Sequence, residues 1–265
     1  MWFSILSIVF YVLALLLIAP ILLNTKSVQD SKRPQKLPLF ITALCAIVFH
    51  IFSIYPLLTD LVTGQNFTLL EIGSLFSVII AIFATLFMLR VNTMWLLLPI
   101  VYAFAIINIV AATFIPSHII QLLNQNTSLL FHIGLSVFTY ALCFIAMLYS
   151  IQLVWIDRSL KARKTQFSPA IPPLMTVERH FFCLFTISEL LLTFTLISGT
   201  YHLLQSINIE TIHKAAFSCA GWLIFGIGLV GHWKYHWKGK KMIVYTISGM
   251  ILLTIAYFGS RLISS

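Results

Sequence analysis

Eight apolar stretches, joined by short connectors, dominate the sequence and leave few folds open to it. A helix needs about 20 mostly apolar residues to cross roughly 30 Å of hydrocarbon, and within lipid it must satisfy its own backbone groups. The stretches Trp2–Leu23, Pro38–Leu58, Leu70–Leu89, Trp95–Phe114, Ser128–Trp155, Phe181–Tyr201, Ala215–Trp233 and Met242–Leu262 meet that requirement. They predict an all-α polytopic bundle of eight transmembrane helices in one domain spanning 1–265. The first stretch has neither a basic leader nor a small-residue cleavage site, so a retained span is expected rather than a signal peptide. Composition agrees: 60% of residues are hydrophobic, 9% are charged, and mean hydropathy is +1.01. Soluble domains carry roughly 25% charged residues, so lipid has to solvate most of this surface.

The net charge of +9 is topological rather than a nucleic-acid footprint, because the basic residues cluster in alternate connectors. Lys26, Lys32, Arg33 and Lys36 fall in 24–37, and Arg90 falls in the next connector on that side. Arg158, Lys161, Arg163, Lys164 and Arg179 fall in 156–180, and Lys234, Lys238, Lys240 and Lys241 in 234–241. Only Lys214 and Arg261 fall on the other face. Basic connectors stay cytoplasmic, so both termini are expected on the periplasmic side of a bacterial inner membrane. Pro116–Asn124 reads as a short interfacial helix on that side. Loop 156–180, with Pro169, Pro172 and Pro173, reads as extended and cytoplasmic.

The four cysteines (Cys45, Cys143, Cys183, Cys219) each stand alone in an apolar run. With no CxxC or CxxCH pair, neither a dithiol redox site nor covalent haem attachment is signalled. Hydrolase, Walker and dinucleotide templates are also absent, and the outer acids Asp60, Glu71 and Glu210 form no catalytic pair. An enzymatic role therefore narrows to cofactor handling.

Ionisable side chains inside spans are expensive, and so mark structure or function. His50, in IVFHIFSIY, reads either as a neutral imidazole bonded to a neighbouring helix or as a metal or haem ligand. His132, in LLFHIGLSVFTY, stands about one turn from the outer surface. His232, in GLVGHWKYHW, stands at the cytoplasmic end of its span, where it reads either as an interfacial side chain or as a ligand. Glu189, in TISELLLTF, lies mid-span and is expected protonated or paired, either in an interhelical hydrogen bond or on a proton or cation path. His118, His202 and His213 gather on the outer side, and His180 and His236 at cytoplasmic helix ends.

Four segments occur in a distinctive order: LLFHIGLSVFTYALCFIAMLYSIQL (129–153), PPLMTVER (172–179), HKAAFSCAGWLIFGIGLVGHWKYHWKGKK (213–241) and AYFGSRLI (256–263). With them the chain resembles the cytochrome c assembly family of haem-handling membrane proteins, and within it a short, eight-span inner-membrane branch. The resemblance implies a b-type haem carried within the bundle towards the outer face. It implies His132 as the outer iron ligand and His50 with His232 as the membrane-embedded pair, with Trp222 matching the tryptophan of the following helix. The family's WGxxWxWD stretch is expected between Gly199 and His213. Here the interval reads TYHLLQSINIET, without tryptophan, and the sequence reaches Ser265 before the family's late outer histidine. Two functions follow. One is haem binding or translocation through His50, His132 and His232. The other is a non-enzymatic accessory scaffold for a membrane partner, such as an ion-transport or ion-resistance system. A transporter built on Glu189 lacks the broken-helix pair expected of one.

Overall fold

A computed structural model describes residues 1–23, 36–63, 69–91, 94–95, 97–114, 127–161, 173–205 and 209–258. Among them the secondary structure is helical: α1 (Trp2–Leu23), α2 (Lys36–Ser53), α3 (Tyr55–Thr63), α4 (Leu69–Arg90), α5 (Leu98–Phe114), α6 (Thr127–Lys161), α7 (Leu174–Gln205), α8 (Ile209–Tyr235) and α9 (Lys240–Phe258). Six of these helices are long and apolar enough to cross a bilayer, and Leu37–Ser53 and Leu98–Phe114 are shorter apolar helices. The expected interfacial helix Pro116–Asn124, like His118, lies outside the described residues.

Boundaries move where charge or proline changes the local balance. The expected span Pro38–Leu58 is divided at Ile54 into α2 and α3. Pro56 lacks an N–H for the Phe52 carbonyl, and its ring crowds that position, so one continuous helix is disfavoured. Loop 156–180 is shorter than expected, because α6 runs on to Lys161 and α7 begins at Leu174. Asp157 and Lys161 pair at 2.7 Å one turn apart, so the polar end of α6 stays helical beyond the apolar run. At about 1.5 Å per residue, the 35 residues of α6 span ~52 Å and therefore extend past the hydrocarbon layer.

The chain divides into two compact units, Met1–Gln125 with Arg163–Pro173, and Asn126–Ala162 with Leu174–Ser265. In the first unit α1 packs on α2 and α5, and α4 on α2 and α5. Small residues let these helices approach closely: Ser7 Oγ donates to the Ala46 carbonyl at 2.9 Å, and Ala14, Ala43 and Ala46 are fully buried. The second unit is a four-helix ring in which α7 packs on α6 and α8, and α9 closes against α8 and α6. Gly249 of α9 faces Phe225 of α8, and a Cβ there would fall against the phenyl ring.

One end of the second unit is basic. Lys238 pairs with Glu178 at 3.1 Å, joining the end of α8 to the start of α7. Arg158, Lys161, Arg179, Lys234, Lys240 and Lys241 occupy the same helix termini, whereas Lys214 stands in the first turns of α8.

Candidate functional site

His50 lies in the first unit and is fully buried, at 0% exposure. Its Nε2 lies 2.9 Å from Ser74 Oγ on α4, and its Nδ1 lies 3.3 Å from Tyr11 OH on α1. Tyr11 in turn packs against Tyr102 at 5.4 Å, and Thr85 and Tyr102 share a hydrogen bond of 2.9 Å. A neutral imidazole has one donor and one acceptor nitrogen, and here each faces a hydroxyl. An iron at His50 would have to displace one of those two bonds.

His132 is arranged differently. Its Nδ1 lies 2.8 Å from Ser198 Oγ on α7. The Ser198 hydroxyl already donates to the Thr195 carbonyl at 2.9 Å, so towards His132 it is the acceptor. With the ring proton on Nδ1, His132 donates to Ser198 and Nε2 keeps its lone pair. A histidine whose second nitrogen is fixed by an oxygen acceptor is the usual build of a metal-ligating imidazole. Gly199 makes room for the ring, since a Cβ there would come within 2.9 Å of His132 Cε1. The His202 ring follows one turn later, 5.7 Å from that of His132 and tilted by 50°. Below this end the α6–α7 seam remains polar, with Thr139 and Thr195 hydroxyls 3.0 Å apart.

His232 stands in the last turn of α8. Its ring stacks on Phe182 at 3.2 Å between centroids, and its Nδ1 lies 3.3 Å from the Trp237 carbonyl. His132 neighbours the end of α7 and His232 its beginning, so the second unit holds them at opposite ends. The histidine beside His132 is His202. Trp222 Nε1 donates to Thr193 Oγ1 at 2.9 Å, and Thr193 donates to the Glu189 carbonyl at 2.9 Å, which ties α8 to α7.

Glu189 is 8% exposed, and its Oε2 has no hydrogen-bond partner among the described residues. Its other oxygen fills the space opposite Gly226, where a Cβ would approach Oε1 to 3.2 Å. No ion pair joins it among the described residues. A carboxylate so placed is more cheaply held with its proton on. Among the described residues, no group of three or more metal-ligating side chains forms.

Ser74, Tyr11, Ser198, Gly199 and Gly226 were not singled out in the sequence. For Ser198 and Gly199 a signal existed, since both lie in the turn preceding His202 in the outer histidine cluster. For Tyr11 there was none, because only the packing of α1 on α2 brings it to His50.

Comparison with known proteins adds a family dimension. A family model described as Cytochrome C assembly protein matches residues 37–265. Inner membrane protein YpjD of Escherichia coli strain K12 is 40% identical over 262 residues, covering 98% of this chain and 97% of that protein. Its counterpart in Escherichia coli O157:H7 aligns to the same extent. An uncharacterized 28.8 kDa protein of Azospirillum brasilense is 29% identical over 136 residues, half of each chain. No solved structure matches the chain.

Proposed function

The chain belongs to the cytochrome c assembly protein family, and from that premise we propose that it holds haem within the membrane, with His132 as the outer iron ligand. It is a multi-pass inner-membrane protein, in keeping with its apolar helices and its YpjD relatives. We read it as one functional domain over 1–265, with eight crossings and periplasmic termini. The basic end of the second unit is then cytoplasmic, and His132 and His202 face outwards.

The observation that carries the haem reading is the His132–Ser198–Thr195 relay. It aims the ring proton at Ser198 and leaves the Nε2 lone pair for iron. Haem bound there supplies an iron that accepts imidazole nitrogen, and without a CxxCH motif it is held non-covalently, as haem b. Ser198 holds the tautomer, and Gly199 keeps the ring seat open. His50 and His232 are candidate iron ligands apart from His132: His50 at the cost of a hydrogen bond it makes now, and His232, whose Nδ1 donates to the Trp237 carbonyl, through its Nε2. The test is an absorption spectrum of the protein purified in mild detergent and reconstituted with haem. A Soret band is expected, lost in His132→Ala and shifted in Ser198→Ala. Protein that stays colourless after reconstitution overturns the reading.

A second reading, an accessory scaffold for a membrane partner, is favoured by one observation: the interval 200–211 holds no tryptophan where the family's tryptophan-rich stretch is expected. Affinity purification from native membranes tests it. A stoichiometric partner with no haem supports the scaffold, and isolation of a haem-loaded chain alone excludes it.

A further inference from the structure

The corner between α8 and α9 is shaped by a helix cap rather than by a loop of arbitrary course. His236 adopts a left-handed conformation (φ 52°), and its N–H bonds the His232 carbonyl at 3.0 Å, closing α8 with a left-handed cap. The chain then turns back, and the Trp237 N–H reaches the Gly231 carbonyl at 3.1 Å. This lays the Trp237 indole over Gly231, where any Cβ would fall inside the ring. The outer edge of the indole stacks on Tyr245 of α9 at 5.2 Å.

Trp237 consequently forms a wall of two adjoining grooves. One, of about 320 Å³, runs along α8 from Trp237 and Tyr235 past Val230 and Ile227 to Trp222, and its lining is apolar. The other, of about 370 Å³, is lined by Trp237, Lys240, Lys241, Val244 and Tyr245. Lys241 Nζ is held over the indole at 5.1 Å, which keeps its charge beside the side chain that lines both grooves.

We propose that this corner binds one anionic glycerophospholipid, its phosphodiester at Lys240 and Lys241 and an acyl chain in the apolar groove along α8. Charge complementarity selects the occupant. Two exposed ammonium groups at the end of membrane-crossing helices face the headgroup layer, where an acidic lipid supplies the opposite charge. Ammonium–phosphate contacts are charge-assisted, whereas a zwitterionic choline lipid brings its own cation to the same place and gains less. The groove along α8, about 320 Å³ and lined by apolar side chains, is of a size for part of a single acyl chain. The site is separate from the haem reading and stands whether or not haem binds at His132.

The test is native mass spectrometry of the detergent-solubilised full chain, delipidated and then titrated with dioleoylphosphatidylglycerol or dioleoylphosphatidylcholine. Two lysines imply a preference for the glycerol lipid on the order of thirty-fold. The Lys240→Gln/Lys241→Gln double variant should bind both lipids alike, and Lys240→Arg/Lys241→Arg should retain the preference. Both lysines are exposed, so the variants should match wild type in size-exclusion profile. Trp237→Ala should weaken both lipids by opening the common wall. Equal binding of the two lipids by wild type, or an unchanged preference in the glutamine variant, overturns the proposal. Displacement of the bound lipid by inorganic phosphate also overturns it, and would reassign the corner to a soluble anion.

Discussion

Two buried side chains of opposite character set the clearest expectations at the residue scale. His50 bridges two hydroxyls, so His50→Ala leaves Tyr11 OH and Ser74 Oγ facing a cavity and should cost about 2–4 kcal/mol. His50→Gln keeps a donor and an acceptor and should recover much of that loss. The measurement is thermal unfolding in detergent, followed alongside the haem spectrum. A glutamine variant that stays stable but loses the Soret band would make His50 a ligand; one that keeps the band makes it structural. Glu189 is the converse case, a buried carboxyl with one oxygen unmatched. Glu189→Met, similar in volume and without the polar burden, should raise stability by about 1–2 kcal/mol. A fall in stability would show that Glu189 has a donor beyond the described residues.

At the element scale, the second unit depends on close approach between helices. Gly249 receives the Phe225 ring, so Gly249→Val should separate α8 from α9 and cost about 2–3 kcal/mol, read as a lowered unfolding midpoint. Trp222→Phe keeps an aromatic ring but removes the N–H to Thr193 together with part of the indole, so a loss of at least about 1 kcal/mol is expected. A difference between the two variants of less than this would mean that the α8–α9 seam relaxes around the added methyls. The division of the second expected span into α2 and α3 follows from Pro56. That was legible in principle, since a proline inside an apolar run points to a break at the residues before it. Run length outweighed it, because the residues on either side of Pro56 are apolar enough to continue the span.

For the whole molecule, the prediction is orientation. Reporter fusions at Met1 and after Ser265 should both read periplasmic, and a reporter in 234–241 should read cytoplasmic. Reversing Lys240 and Lys241 to Glu alone should not invert the chain, because Arg158, Lys161, Arg179, Lys234 and Lys238 remain at that end of the second unit. A periplasmic signal from 234–241 in the wild type would overturn the assignment. Family membership operates at this scale too: the match over 37–265 and the identity of 40% to a relative of nearly equal length describe the chain as a whole, not any one histidine.

Much of the architecture was determined by the sequence alone. Trp2–Leu23 appears as α1 with the bounds read from its apolar run, and the helical class, the basic end and the family resemblance follow from residue order. The reason is that lipid turns local composition into structure: an apolar segment of sufficient length has to be helical, and its flanking charge has to stay near water. The candidate site was legible only as a set of costly residues. Which of them carries a lone pair free to bind was decided by tertiary structure, because a tautomer depends on partners far along the chain. Ser198, from α7, fixes His132; Tyr11 and Ser74, from α1 and α4, occupy His50; Gly226, from α8, opens the space that Glu189 fills. Each of these outcomes rests on a helix-to-helix register that no local pattern encodes.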